Sequence, residues 1–436
     1  MTATDTHTGT HAGTHAGILG AIDAVFRIER AKLIAGLARM LRDVGLAEEL
    51  AQDALVSALE QWPRSGIPDK PGAWLMAAAK NRAIDRLRRA KLIERKHREL
   101  GHDLETTGEG ETPDLDDDIG DDLLRLMFTA CHPVLSTDAQ VALTLRLLGG
   151  LTTDEIARAF LVPEPTIAQR IVRAKRTLAE KRVPFEVPRG AERAERLASV
   201  LGVLYLVFNE GYTATAGGDW IRPQLCEEAL RLGRVLAGLA PEEPEVHGLV
   251  ALMEIQASRL RARVGPDGEP ILLLDQDRAR WDQLLIRRGL AGLARAEALG
   301  GALAGPPGPY LLQAAIAACH ARARQAADTD WVRIAALYAG LAQVAPSPVV
   351  ELNRAVAVGM ASGAAAGLTL VDRLAAEPAL KGYHLLPSVR GDFLEKLGRR
   401  EEARAEFERA AGLTRNARER RLLLDRAAKC EHRPAE

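Results

Sequence analysis

Aromatic side chains are scarce in this chain: five Trp, five Tyr and seven Phe among 436 residues. Sheets draw much of their cross-strand stabilisation from aromatic and β-branched pairs. The shortage therefore argues against a sandwich or barrel, and the abundant Ala and Leu point to closely packed helices. Cysteine is rarer still. Cys131, Cys226, Cys319 and Cys430 stand far apart with no CxxC pair, which excludes a zinc ribbon or a disulfide scaffold and fits reduced thiols. No apolar run approaches the roughly 20 residues needed to cross a bilayer, and no signal-peptide core follows the start, so the chain is expected in the cytoplasm. Net charge is also lacking, since 58 Lys and Arg balance 59 Asp and Glu. The balance conceals segregation: basic residues crowd 80–98 and 170–182, while 103–122 is acidic. Local basic patches of this kind suit a polyanion partner.

A chain of this length is expected to hold two or three domains. The opening MTATDTHTGTHAGTHAG is of low complexity, and His7, His11 and His15 are read as part of a disordered tail over 1–20. From Ile22 to Val44 apolar residues recur at helical spacing, with Gly45 as the stop. Leu46, Leu50, Ala54, Ala58 and Trp62 then repeat every four residues, flanked by Ala47, Ala51, Leu55 and Leu59. Together they make one broad apolar face opposite the polar Glu49, Gln52, Asp53 and Glu60. Residues 63–72 (PRSGIPDKPG) break into a loop, and Pro71 suits the first turn of the next helix. That helix is expected to bury Trp74, Leu75, Ala78, Ile84 and Leu87, with Lys80, Arg82, Arg86, Arg88, Arg89 and Lys91 on its basic side. Periodicity leaves the acidic face open between simple solvation and a protein contact.

AEELAQDALVSALEQW followed by WLMAAAKNRAIDRLRR resembles region two of the extracytoplasmic-function sigma factors of the sigma-70 family. The resemblance implies that Glu49, Gln52, Asp53 and Glu60 face a coiled coil of the core RNA polymerase clamp. It further implies that the loop Arg64–Lys70 captures a base flipped from the −10 promoter element while the next helix helps melt the duplex. Trp74, Lys80, Asn81, Arg82, Asp85 and Arg86 would then lie at the DNA, Asn81 and Asp85 meeting the family's Asn-x-x-x-Asp pattern. The acidic stretch 101–121 is read as a flexible linker; in the resembled family it threads polymerase channels otherwise used by nucleic acid.

Residues 122–185 hold the most specific local signal. Gly149 and Gly150 end one helix, Thr152 and Glu155 fit a capping box, and Leu151 with Ile156 fits a hydrophobic staple. A short helix Asp154–Phe160, a turn with Val162 and Pro163, and a second helix from near Pro165 follow. Ile167, Ile171, Ala174 and Leu178 space as the buried stripe of the second helix, with Gln169, Arg170, Arg173 and Arg176 largely on its other faces. This is a helix-turn-helix pattern, and Gln and Arg suit adenine and guanine edges in the major groove. LTTDEIARAFLVPEPTIAQRIVRAKRTL resembles region four of the same family, which assigns Thr166, Gln169, Arg170, Arg173 and Arg176 to the −35 element. Two positions depart from the family. Leu161 stands where Gly is common in the turn, so a differently shaped turn is expected. Ala168 stands where many members carry a basic residue, so their sequence preference does not transfer.

Residues 190–436 form a long extension. Gly391, Leu394, Ala403, Phe407 and Ala410 fall at the spacing of a tetratricopeptide repeat, and two upstream stretches look like degenerate copies, which predicts a short helical solenoid. FNEGYTATAGGDW (208–220) contains Glu210, Tyr212 and Asp219 without a nucleophile–base pair and is read as a structural or docking motif. Asp267, Asp275 and Asp277 match no calcium loop and are read as a turn before a capped helix. His247, His320 and His384 are isolated. The whole chain resembles the group of extracytoplasmic-function sigma factors with a tetratricopeptide-like extension; the resemblance implies regulation through that extension and a small YCII-related protein as partner. The expected fold is all-α: region two over 21–100, a linker, region four over 122–185, and the extension. No catalytic residue, metal or cofactor is expected. The competing reading, a conventional helix-turn-helix regulator with a helical sensor, leaves the first hundred residues without a role.

Overall fold

The computed structural model describes residues 9–99, 119–302 and 306–432. The expectations for His7 and for most of the acidic linker lie outside the described residues. Among them are eighteen α-helices and a single pair of two-residue strands, so the fold is all-α. The chain divides into two compact units, Met1–Arg158 with Val162–Val203, and Leu204–Glu436 with Ala159–Leu161.

The first unit opens with α1 (Gly9–Leu41), α2 (Val44–Ser65) and α3 (Pro71–Glu99). α1 starts at Gly9, ahead of the expected Ile22, because extending an existing helix costs far less than nucleating one. It ends at Arg42, whose backbone is left-handed (φ 53°), and Asp43 caps α2 by accepting from the Leu46 amide at 2.9 Å; both replace Gly45, which lies inside α2. α2 buries Ala47, Leu50, Ala51, Ala54, Ala58 and Trp62 as its period requires. It continues through Pro63 to Ser65, so Arg64 occupies its last turn and only Gly66–Lys70 is loop. Leu75, Ala79 and Ala83 form the inner face of α3. Leu87, expected inside, is exposed, as are all side chains from Asp85 to Arg89.

α4 (Ile119–Ala130), α5 (Thr137–Leu147), α6 (Thr153–Phe160) and α7 (Glu164–Glu180) follow. The first unit does not stop at residue 185. The leading half of α8 (Gly190–Tyr212) buries Leu197, Val200, Leu201 and Val203. Its Arg196 donates to the Phe128 carbonyl at 2.9 Å, and its Ser199 donates to the Cys131 carbonyl at 2.8 Å. These contacts cover the exposed ends of α4 and α5, which is why the boundary falls inside a continuous helix.

The second unit takes the rest of α8, then α9 (Pro223–Leu239), α10 (Pro244–Ala257), α11 (Gln283–Ala302), α12 (Pro309–Arg322), α13 (Trp331–Val344), α14 (Pro348–Ser362), α15 (Ala364–Leu374), α16 (Leu385–Lys396), α17 (Arg400–Leu413) and α18 (Ala417–His432). From α13 onward each helix packs chiefly on its neighbours in sequence, the one-dimensional arrangement of a repeat array. Gly391 permits the close α16–α17 approach, since a Cβ there would lie 2.8 Å from the Phe407 ring. The strands β1 (Ala216–Gly217) and β2 (Arg415–Asn416) pair in parallel. Asn416 Nδ2 also donates to the Ala214 and Asp219 carbonyls at 3.0 and 2.8 Å, tying the start of the extension to its end. The four cysteines are free and buried, and burial pushes the Cys131 and Cys226 thiols up to about 12.

Candidate nucleic-acid interface

Two surfaces of the first unit carry the residues singled out in the sequence. On α2, Glu49, Gln52 and Glu60 are exposed and Asp53 is half-buried. Val56 and Leu59 stand among them, 45 % and 39 % exposed, so this face combines acids with uncovered aliphatic surface, a composition suited to a protein contact more than to water alone. On α3, Asn81 and Asp85 are exposed one turn apart, Lys80 is half-buried, and Arg64 and Lys70 flank the loop, both exposed. Trp74 is half-buried, edge-on to the buried Trp62 at 5.2 Å between centroids.

The acidic and basic sets are not separate faces. Arg82 donates to the Asp53 carbonyl at 2.8 Å and to Ser57 Oγ at 2.7 Å, and lies 3.6 Å from the Asp53 carboxylate. Arg86 pairs with Glu49 at 3.3 Å. Both arginines thus bridge the α2–α3 seam. Periodicity along each helix could not show this, because the pairing depends on how the two helices are set against each other.

The second surface is the helix-turn-helix. The capping box forms as read: the Thr152 amide donates to Glu155 Oε2 at 2.8 Å, and the Glu155 amide donates to Thr152 Oγ1 at 3.1 Å. Burial raises the Glu155 carboxyl, but the Thr152 bonds and Arg27 outweigh it and leave the pKa lowered. Gly150 takes φ 70°, and the Leu151 amide reaches back to the Leu145 carbonyl at 3.1 Å, closing α5. The turn is not reshaped to spare Leu161. That residue adopts the left-handed region at φ 52°, a conformation costing an L side chain roughly 1–2 kcal/mol, and keeps its side chain exposed. On α7, Ile167, Ile171, Ala174 and Leu178 are all buried. Thr166, Gln169, Arg173 and Arg176 are exposed, whereas Arg170 pairs with Asp138 at 3.0 Å and Arg176 with Glu180 at 2.6 Å. Thr166, Gln169, Arg170 and Arg173 line a groove of about 420 Å³ against the start of α5.

One residue between these surfaces was not singled out by its sequence. Glu48, only 5 % exposed on α2, accepts from Arg30 of α1 at 2.6 Å, from Arg146 of α5 at 2.7 Å, and from Lys175 of α7. Burial raises its carboxyl pKa, but Lys175, Arg146 and Arg30 outweigh that and hold it below the usual range. Arg30 also approaches the Gly150 carbonyl at 3.4 Å. A single carboxylate therefore ties the helix carrying the acidic face to the helix carrying Gln169 and Arg173. Its only sequence signal is an acid inside the run of α2, next to the exposed Glu49 and Gln52.

In the second unit several of the remaining acids and histidines have structural partners. Glu210 accepts from Thr215 and Arg222. Asp277 caps the Ala279 amide at 2.9 Å, and Asp282 accepts from the Leu284 and Leu285 amides at the start of α11. His247 bonds the Pro241 carbonyl at 2.8 Å, and His384 bonds Glu419 at 3.0 Å. Among the described residues no three His, Cys, Asp or Glu converge on a metal-sized site, and no helix is long and apolar enough to cross a membrane.

Family models match three segments: Sigma-70 region 2 over 25–93, Sigma-70, region 4 over 125–178, and a family of unknown function (DUF6596) over 196–297. An uncharacterized protein of Rhizobium meliloti (strain 1021) is 44 % identical over 415 residues, 94 % of this chain and 96 % of that protein. A probable ECF RNA polymerase sigma factor SigI of Mycobacterium tuberculosis is 27 % identical over 168 residues, 38 % of this chain and 57 % of that protein. The crystal structure of the yeast Tom70 aligns at 11 % identity with a TM-score of 0.30, over 97 % of this chain and 88 % of that one, too slight a likeness to bear on the fold.

Proposed function

The chain belongs to the sigma-70 family, as a member of its extracytoplasmic-function type, and from that premise we propose how its parts divide the work. α2 docks on core RNA polymerase through Glu49, Gln52, Asp53 and Glu60, with Val56 and Leu59 adding apolar area at the centre of the contact. Arg64, Lys70, Lys80 and Asn81 meet the −10 element with Trp74 and Asp85 beside them, and Arg82 and Arg86 join them by releasing Asp53 and Glu49. Thr166, Gln169, Arg170 and Arg173 read the −35 element, Arg176 holding phosphate. The helical extension regulates the factor rather than adding chemistry.

The observation that carries this reading is the Thr152–Glu155 capping box and the helix α7 with exposed Gln169 and Arg173, in the same unit as the acidic–basic pair α2 and α3. A conventional regulator would need the former but not the latter. Run-off transcription with purified core polymerase and the full-length chain tests it, on templates chosen by genome-wide binding. A promoter-dependent transcript that falls in a Gln169→Ala, Arg173→Ala double variant is expected. DNA binding that is equally specific without polymerase, and no transcript with it, would instead favour the conventional regulator.

A further inference from the structure

The second unit holds one buried and two half-buried arginines, with buried indole donors, that none of these roles uses. Arg259, just after α10, is 8 % exposed. Its side chain makes no hydrogen bond or ion pair with any described residue, and its Nε is buried without a partner. Its guanidinium carbon lies 5.7 Å from the ring centroids of both Tyr212 and Trp281. Arg263 stands 3.7 Å from the Tyr212 centroid and 5.5 Å from that of Trp220, and Arg278 stands 4.7 Å from Trp281. Cations and rings thus alternate through the cluster.

Arg263 and Arg278 do make hydrogen bonds. Arg263 donates to the Tyr212 carbonyl and to Thr213 Oγ1, and Arg278 donates to the His320 and Ala323 carbonyls. Each still leaves its Nε buried and unpartnered, as are Trp220 Nε1 and Trp281 Nε1. Among the described residues no carboxylate lies within ion-pair distance of any of the three arginines. His320 beside them stays neutral, because burial and then Arg259 and Arg278 push its pKa down to about 3.

Burying an unpaired cation carries a large desolvation penalty. A ring face offsets only part of that penalty and leaves the surplus of donors without acceptors. The chemistry that completes such a cluster is a group with only acceptors and with negative charge. We propose that Arg259, Arg263 and Arg278, with Trp220 and Trp281, form a binding site for a small oxyanion of two or more negative charges, either a phosphate or a polycarboxylate. Arg263 and Arg278 are half-buried and open the site to solvent. All five residues fall within 196–297, the segment matched by the family of unknown function, so the site belongs to that segment and stands whether or not the promoter reading does.

The test is titration of the full-length chain with inorganic phosphate and, separately, with citrate, against sodium chloride at equal ionic strength. The readouts are tryptophan fluorescence, to which Trp220 and Trp281 contribute, and the melting temperature. Saturable binding of one anion with a melting temperature raised by several degrees is expected. Binding of phosphate alone identifies a phosphoryl ligand, and binding of citrate alone a polycarboxylate. Arg259→Met is expected to weaken binding at least tenfold while leaving the anion-free melting temperature unchanged or higher, since it removes an unpaired buried charge. Arg259→Lys keeps the charge but loses the guanidinium fork, and should fold and bind more weakly. No saturation by either anion up to about 10 mM, or undiminished binding by both variants, would overturn the proposal.

Discussion

At the scale of single residues, the site divides into side chains committed to partners and side chains left free. Arg82, Arg86 and Arg170 have carboxylates within reach, while Gln169, Arg173 and Glu60 are exposed. Gln169→Ala is expected to relax discrimination at one base of the −35 element by about 1–3 kcal/mol, read as the affinity ratio between matched and single-mismatch templates in the polymerase complex. Glu60→Lys reverses a charge on the α2 face without touching the core. Polymerase affinity should fall about tenfold, roughly 1.4 kcal/mol, with the melting temperature unchanged; equal affinity in a pull-down would remove Glu60 from the contact. Asp53 is the poorer probe, because its substitution also disturbs Arg82.

At the scale of elements, Glu48 decides how α1, α2, α5 and α7 are held together. Removing one partner from a buried ionic cluster costs about 3–5 kcal/mol, so Glu48→Gln should lower the melting temperature clearly. The pH dependence has a definite sign. The folded pKa of Glu48 is depressed below its ordinary value of 4.5, so its stabilisation is complete above that value and is lost as pH falls through the lower folded pKa. The gap in melting temperature between wild type and Glu48→Gln should therefore be full at pH 7 and shrink progressively below about 4.5. The capping box is a smaller device: Thr152→Ala should cost about 1 kcal/mol, visible as a lower denaturation midpoint with its slope unchanged.

At the scale of the whole molecule, α8 is where the two units meet in sequence. Its first half completes the first unit through Arg196, Ser199 and four buried aliphatic side chains. A chain ended at Arg189 uncovers that surface, while one ended at Tyr212 keeps it. The shorter chain is expected to melt at a distinctly lower temperature by circular dichroism. Equal melting temperatures would place the true boundary at the family match's end near residue 178.

Much of this was legible in the order of residues. The all-α class, the buried stripe of α7, the Thr152–Glu155 capping box and the inner face of α2 follow from period and local chemistry, because each involves residues within a few positions of one another. Leu161 shows the limit: its type argued for a different turn, yet the packed helices on either side impose the left-handed backbone. Glu48 and Arg259 lie beyond it altogether. Glu48 meets residues 18, 98 and 127 positions away, and Arg259 is isolated only because the chain folds aromatic rings around it and brings no acid. Sequence specified which helices form and which faces they bury. Tertiary structure alone decided which charges are paired and which are not, because that depends on distances between helices that no local pattern encodes.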